Sequence, residues 1–179
     1  NIPVYVTPLS TNTNLSVLKV NNVTVVDGGS IEVANRTVSV PVTATPADAE
    51  SVVAVTGNSA LRTGVNTVSI LVTAPSGAKK TYTVTVTVLK SSNTALTALS
   101  VNGVDASAGG TVTLPVRTTV ASVKAVTADP ETAVAVTGTA LVEGSNTVVL
   151  TVTAPDGTVR TVNIPVYVTP LSTNTNLSV

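Results

Sequence analysis

The sequence predicts an all-β protein of two tandem sandwich modules, and three observations carry that prediction. First, the chain is 43% hydrophobic but only 2% aromatic, and it has no Phe, Trp, Met, Cys or His. Its core must come from Val, Leu, Ile and Ala, and its abundant Val and Thr are β-branched residues suited to a pleated, half-buried surface. Second, apolar and polar residues alternate with period two, most clearly in "TYTVTVTV" at Thr81–Val88. Third, the chain repeats itself, and a fixed internal period is to be read before any single element.

The repeat sets the boundaries. Asn1–Val17 recurs unchanged as Asn163–Val179, a spacing of 162, and a weaker repeat lies at half that distance. "ADAESVVAVTG" at Ala47–Gly57 returns as "ADPETAVAVTG" at Ala128–Gly138, and "VTAPSG" at Val72–Gly77 as "VTAPDG" at Val152–Gly157. "NTNLSVLKVNN" at Asn12–Asn22 returns more loosely as "NTALTALSVNG" at Asn93–Gly103. Residues 12–91 and 92–171 are therefore expected to be one module each. Residues 1–11 are expected to be the last strand and linker of a preceding repeat, and 172–179 the linker and first strand of a following one.

Within a module each element follows from its pattern. "TVSVPVTA" predicts a strand with Val38, Val40 and Val42 inward, and "TVSILVTA" one with Val68, Ile70 and Val72 inward. "APSG" and "APDG" put Pro at the second turn position and Gly at the last, which joins two strands as a hairpin. In "TYTVTVTV", Tyr82, Val84, Val86 and Val88 share the dry face and the threonines the wet one, as in an antiparallel sheet with one solvated side. The glycines of "DGGS" at Asp27–Ser30 and "AGGT" at Ala108–Thr111 are expected to adopt positive φ. The corresponding last strand of the second module, "TVNIPVYV", contains Pro165, which lacks a backbone donor and predicts an edge-facing position. About seven short strands per module fit a two-sheet sandwich of immunoglobulin-like architecture. Short linkers, "LKSSNT" and "TPLSTNT", imply modules in line with limited freedom.

Composition also excludes functions. Nine basic and nine acidic residues give zero formal net charge, without the basic stripe that nucleic acid or an anionic membrane requires. No apolar run reaches the roughly 20 residues of a membrane helix. Lacking His and Cys, the chain cannot build Ser-His or Cys-His nucleophile systems or a zinc site. Asp48 with Glu50, and Asp129 with Glu131, are the only candidate carboxylate pairs; two residues apart in a loop, they read as a solvated turn. Asn14, Asn22, Asn35 and Asn176 begin Asn-x-Ser/Thr triplets, a pattern expected by chance in such a composition. Lys19 or Lys90 could form an isopeptide bond to an Asn. Tyr82 reads as a core residue, and Tyr5 and Tyr167 as surface ones.

Three signatures occur in both modules: Leu-x-x-Leu (Leu15, Leu18; Leu96, Leu99), Gly-x-Asn-Thr-Val (Gly64–Val68; Gly144–Val148) and the "TAP-x-G" hairpin. In their order they resemble the bacterial cadherin-like β-sandwich repeats of cell-surface, S-layer and adhesin-type proteins, over nearly the whole chain. The resemblance implies a non-catalytic spacer or stalk segment at the cell surface, whose partners are neighbouring repeats of the same protein. Interdomain calcium, held in cadherins by clustered acids, is not expected, because Asp-rich motifs are absent. No catalytic, cofactor or metal-binding residue is assigned, and no nucleic-acid partner or membrane insertion. Two alternatives stay open: a fibre subunit self-associating head to tail through exchange of its terminal strands, and a glycan- or protein-binding sandwich.

Overall fold

A computed structural model of the chain describes residues 6–172. The chain divides between Lys90 and Ser91 into two units, and all named elements among the described residues are strands. The expected strands at residues 1–5 and 173–179 lie outside the described residues.

The first unit contains β1 (Leu15–Val20), β2 (Val23–Thr24), β3 (Ser30–Val33), β4 (Val42–Pro46), β5 (Val52–Thr56), β6 (Gly64–Thr73) and β7 (Lys79–Val88). They form a three-stranded sheet in the order β2-β1-β4 and a four-stranded sheet in the order β3-β7-β6-β5. The long hairpin β6–β7 is antiparallel and in register from Gly64 opposite Val88 to Thr73 opposite Lys79. Its turn follows from "TAPSG": the Gly77 N–H returns to the Ala74 carbonyl at 2.8 Å and the Ala74 N–H to the Ala78 carbonyl at 2.8 Å. Gly77 at φ 86 supplies the left-handed residue after the turn.

Register then decides the faces. Val68, Ile70 and Val72 on β6 and Tyr82, Val84, Val86 and Val88 on β7 are buried, and they meet Leu18 and Val20 from the facing sheet. Burying one Val or Leu contributes roughly 1.5–3 kcal/mol, so these positions hold the sandwich shut. Thr81 and Thr83 are exposed as the alternation requires, while Thr85 is half-buried, flanked by Thr67 on β6 and Ser30 on β3. The parallel pairing of β3 with β7 completes this sheet.

The second unit repeats the plan with β8 (Leu96–Val101), β9 (Val104–Asp105), β10 (Val112–Leu114), β11 (Val123–Thr127), β12 (Ala133–Thr137), β13 (Gly144–Thr153) and β14 (Val159–Val168). Its sheets are β11-β8-β9 and β10-β14-β13-β12, around Leu99, Val101, Leu114, Val148, Leu150, Ile164, Val166 and Val168.

Three details differ from what the sequence pattern predicts. Val38 is 64% exposed although Val40 is buried and Val42 half-buried, because β4 starts only at Val42. Residues 38–40 instead make isolated contacts with the 58–61 loop through Ser39 opposite Ser59, and Val40 N–H to Asn58 at 2.9 Å. Gly28, Gly109 and Gly110 have positive φ but Gly29 does not. Pro165 sits on an interior strand rather than a sheet edge: β14 runs between β10 and β13. The proline is accommodated because pairing with β10 begins only at Val166.

The repeated "VTG" has a steric cause. Gly57 (φ 77) and Gly138 (φ 73) adopt the left-handed region, and a Cβ on either would run into the carbonyl of Thr67 or Thr147. Gly138→Ala is expected to destabilise the second unit by at least about 2 kcal/mol, measured by thermal unfolding. Val84→Asp should abolish the cooperative unfolding of the first unit, whereas Thr81→Asp on the opposite face should shift stability by less than about 0.5 kcal/mol.

Candidate functional site

The two acidic pairs, Asp48 with Glu50 and Asp129 with Glu131, lie in loops beside the segment by which the chain enters each sandwich. In the first unit, residues 10–14 cross beneath the 47–51 loop and beside the β6–β7 turn. The Ser10 carbonyl accepts the Ser76 N–H at 3.0 Å, and the Asn14 carbonyl accepts the Ala47 N–H at 2.8 Å. The Ser51 hydroxyl donates to the Asn12 carbonyl at 3.0 Å, and the Tyr82 hydroxyl to the Thr13 carbonyl at 3.1 Å. Asn12 Oδ1 accepts the Asn14 N–H at 3.0 Å, an Asx turn that fixes the entry.

The second unit copies this arrangement. Ser91 accepts from the Asp156 N–H at 3.1 Å and Ala95 from the Ala128 N–H at 2.9 Å, while the Thr132 hydroxyl donates to Asn93 at 2.8 Å. Ser51, Ser91, Asp129 and Thr132, the buried polar residues among those described, all belong to these two entry networks. A buried polar group is stable only when hydrogen-bonded, and here the bonds tie the incoming chain to its own sandwich.

The acidic pairs fall within the same networks. Asp48 Oδ1 accepts the Glu50 N–H at 3.0 Å, and Asp129 Oδ1 accepts the Glu131 N–H at 3.0 Å. Glu50 and Glu131 are exposed. Asp129 is only 2% exposed, so it is a buried structural acceptor and not part of a solvated turn. The Ser10 hydroxyl, followed by the Glu50 amide, holds the Asp48 carboxyl below the usual aspartate range. The Ser107 hydroxyl and amide do the same for Asp105. Among the described residues no group of three or more His, Cys, Asp or Glu comes together, and no helix is long and apolar enough to cross a membrane.

Other candidates are dispersed. Lys19 and Lys90 are both exposed, unlike the buried setting that an isopeptide bond needs. Asn14, Asn22 and Asn35 lie on exposed turns of the first unit, and Asn176 lies outside the described residues. Tyr82 is a core residue with Lys80 Nζ 4.2 Å from its ring centroid; Tyr167 is 38% exposed on the outer sheet face, and Tyr5 lies outside the described residues.

Asn66 and Asn146 explain the Gly-x-Asn-Thr-Val signature, which residue chemistry alone left unread. Asn66 Oδ1 accepts the Arg62 N–H at 2.9 Å, and its Nδ2 donates to the Arg62 and Gly64 carbonyls at 2.7 and 2.9 Å. Asn146 does likewise with Val142 and Gly144. Each closes the loop that feeds the long hairpin.

Each unit has a groove where its first strand meets the strap beside its last strand, and the lining of the two grooves differs. In the first, the Asp27–Gly29 strap lies along β7: Asp27 Oδ1 accepts the Thr83 N–H at 3.0 Å, Gly28 N–H reaches Thr83 at 2.8 Å, and Thr85 N–H reaches Gly29 at 2.9 Å. In the second, Ala108 replaces Asp27, Pro165 replaces Thr85 and Val162 replaces Tyr82. The donor, the acceptor and the large ring are lost together: the groove of the second unit, about 210 Å³, is bounded by Leu96, Leu99, Gly110, Val162 and Pro165, and that of the first, about 420 Å³, by Leu15, Leu18, Asp27 and Tyr82.

No protein-family model matches the chain, and no curated protein matches it. Sixteen chains of solved structures do. They include the fibronectin(III)-like modules of Clostridium thermocellum CbhA, at 11% identity and a TM-score of 0.29, covering 90% of this chain and 100% of that one. The architecture rests on the sheets themselves. Each unit is an immunoglobulin-like β-sandwich.

Two outcomes check this account. Val162→Tyr should raise the stability of the second unit by about 1 kcal/mol in thermal unfolding, since it adds a buried ring and a hydroxyl that can reach the entry segment. Because the folded pKa of Asp48 is lowered, its stabilising effect is present above the ordinary aspartate range and lost as pH falls through the folded value. An NMR titration should show Ser10→Ala raising that pKa.

Proposed function

We propose that this chain is a non-catalytic spacer segment of a repetitive extracellular surface protein, of the bacterial cadherin-like type that its repeated motifs resemble, with neighbouring repeats as its partners. The observation that carries this reading is the way the last strand of each unit is held. β7 is bonded by antiparallel β6 on one side and by parallel β3 on the other. A pull between the entry near Ser10 and the exit past Val88 draws β7 along its own axis, so the rungs on both sides bear load together instead of opening one by one. Leu89 N–H still reaches Val33 at 3.0 Å, and Ser91 already accepts from Asp156. Only Lys90 stands between the last residue tied to one unit and the first tied to the next.

A second reading has its own support. Residues 1–6 repeat 163–168, and in the described copy Ile164, Val166 and Val168 are buried core residues of β14. The terminal copy therefore has the right side chains to occupy the last-strand slot of another molecule, giving head-to-tail association. Light scattering before and after deletion of residues 1–9 tests it: association lost on deletion supports exchange, and unchanged association rejects it.

The spacer reading is tested by pulling single molecules of the full chain from their ends. Two separate unfolding peaks are expected, each releasing roughly 250 Å of chain at full extension. The unit containing β14 should yield first, because Pro165 removes a rung and β10 is shorter than β3; Pro165→Thr should raise the weaker peak. Gradual extension without peaks would contradict a load-bearing role.

A further inference from the structure

We propose that the free edges of β5 and β12 are self-pairing surfaces through which a second copy of this chain joins side by side. Both are terminal strands of their four-stranded sheets. The phase of the backbone along them can be derived from bonds already described. Thr83 and Thr85 turn their backbone groups away from β6, toward the Gly28–Gly29 strap. Alternation along each strand therefore assigns Val68 and Ile70 of β6 to β7, and Thr67, Ser69 and Leu71 to β5. β5 answers with Val52, Ala54 and Thr56, opposite Thr73, Leu71 and Ser69. The N–H and C=O of Val53 and Val55 are left pointing outward.

The second unit has the same phase. Thr169 N–H bonds Leu114 across the β10 side of β14, which through the β13 and β12 registers leaves Val134 and Val136 outward. No turn or loop backbone bond among the described residues reaches these four residues from elsewhere.

An uncovered strand edge is a template for another strand, and proteins blunt such edges with Lys, Pro, bulges or brevity. The other edges are blunted. β4 ends on Pro46, β11 carries Lys124, β3 carries Glu32, β10 has three residues, and β2 and β9 have two each. β5 ("VVAVT") and β12 ("AVAVT") have no charge and no proline, and their pairing shows no register shift. Their inward side chains are also incompletely covered. Val53 and Val55 are half-buried at the margin of the first core, as are Val134 and Val136 at the margin of the second.

The pattern is self-complementary. Two β5 edges placed antiparallel about Ala54 set Val53 of one copy opposite Val55 of the other, twice. Each such pair exchanges two N–H···O bonds, four in all, with the alanines facing each other about 4.5 Å apart on the two-fold axis. β12 does the same about Ala135, and the shared "VAVTG" lets β5 of one copy accept β12 of another. Zero formal net charge removes long-range repulsion between copies. The occupant that fits this edge is thus the chain itself.

Ala54 and Ala135 are exposed on the outer sheet face, so lysine there leaves the core untouched and places like charges opposite one another. In sedimentation equilibrium the full chain should show concentration-dependent dimerisation. NMR should show amide protection of Val53, Val55, Val134 and Val136 rising with concentration. The double variant Ala54→Lys/Ala135→Lys should keep its melting temperature and bind itself about tenfold more weakly or worse. Mixing it with Ala54→Glu/Ala135→Glu should restore association. A wild-type chain that stays monomeric, a lysine variant that associates like the wild type, or a charge-matched mixture that does not recover would each overturn the proposal. The mixture decides the matter even if lysine costs some stability.

Discussion

Everything in each unit depends on the register of one long hairpin, β6–β7 in the first and β13–β14 in the second. Its ten-residue strands are the longest among the described residues, and its tight turn fixes which residues stand opposite. A slip of one residue would send threonines into the core and valines into water. The other strands take their places from this ladder: β5 adds to one side, β3 to the other, and the three-stranded sheet closes over its dry face. Even the entry segment is bound to it, through Ser76 at the turn and Tyr82 on the strand.

The two units show what the same plan tolerates. Exchanging Tyr82 for Val162 and Thr85 for Pro165 leaves register and core intact but loosens one flank of the sheet. The cost is confined because Pro165 stands one residue before pairing with β10 starts. The two modules thus share one geometry and differ in how it is reinforced.

Much of the fold was legible because valine and threonine alternate so regularly. The faces of Val68–Val72 and Tyr82–Val88, the "TAP-x-G" turns and the all-β class followed from period and turn chemistry. The two-residue hairpin turns at Asn21–Asn22 and Asn102–Gly103 are written there too, as positive-φ residues between apolar flanks. Other features needed the third dimension. Val38 alternates correctly but belongs to no strand, and Asp129 looks solvated from its place in a loop yet is buried. The interior place of Pro165 depends on where a distant parallel strand begins. The outward phase of Val53 and Val55 likewise appears only after hydrogen bonds are traced across three strands.

Native-state hydrogen exchange on the full chain tests the central dependence most directly. The amides of Val68, Ile70, Tyr82 and Val84, and of Val148, Leu150, Val162 and Ile164, point across the long hairpins and should be the last to exchange in their units, at the free energy of global unfolding. Slowest exchange in the three-stranded sheets, with the hairpin amides opening earlier, would contradict the claim that the hairpin register organises the fold.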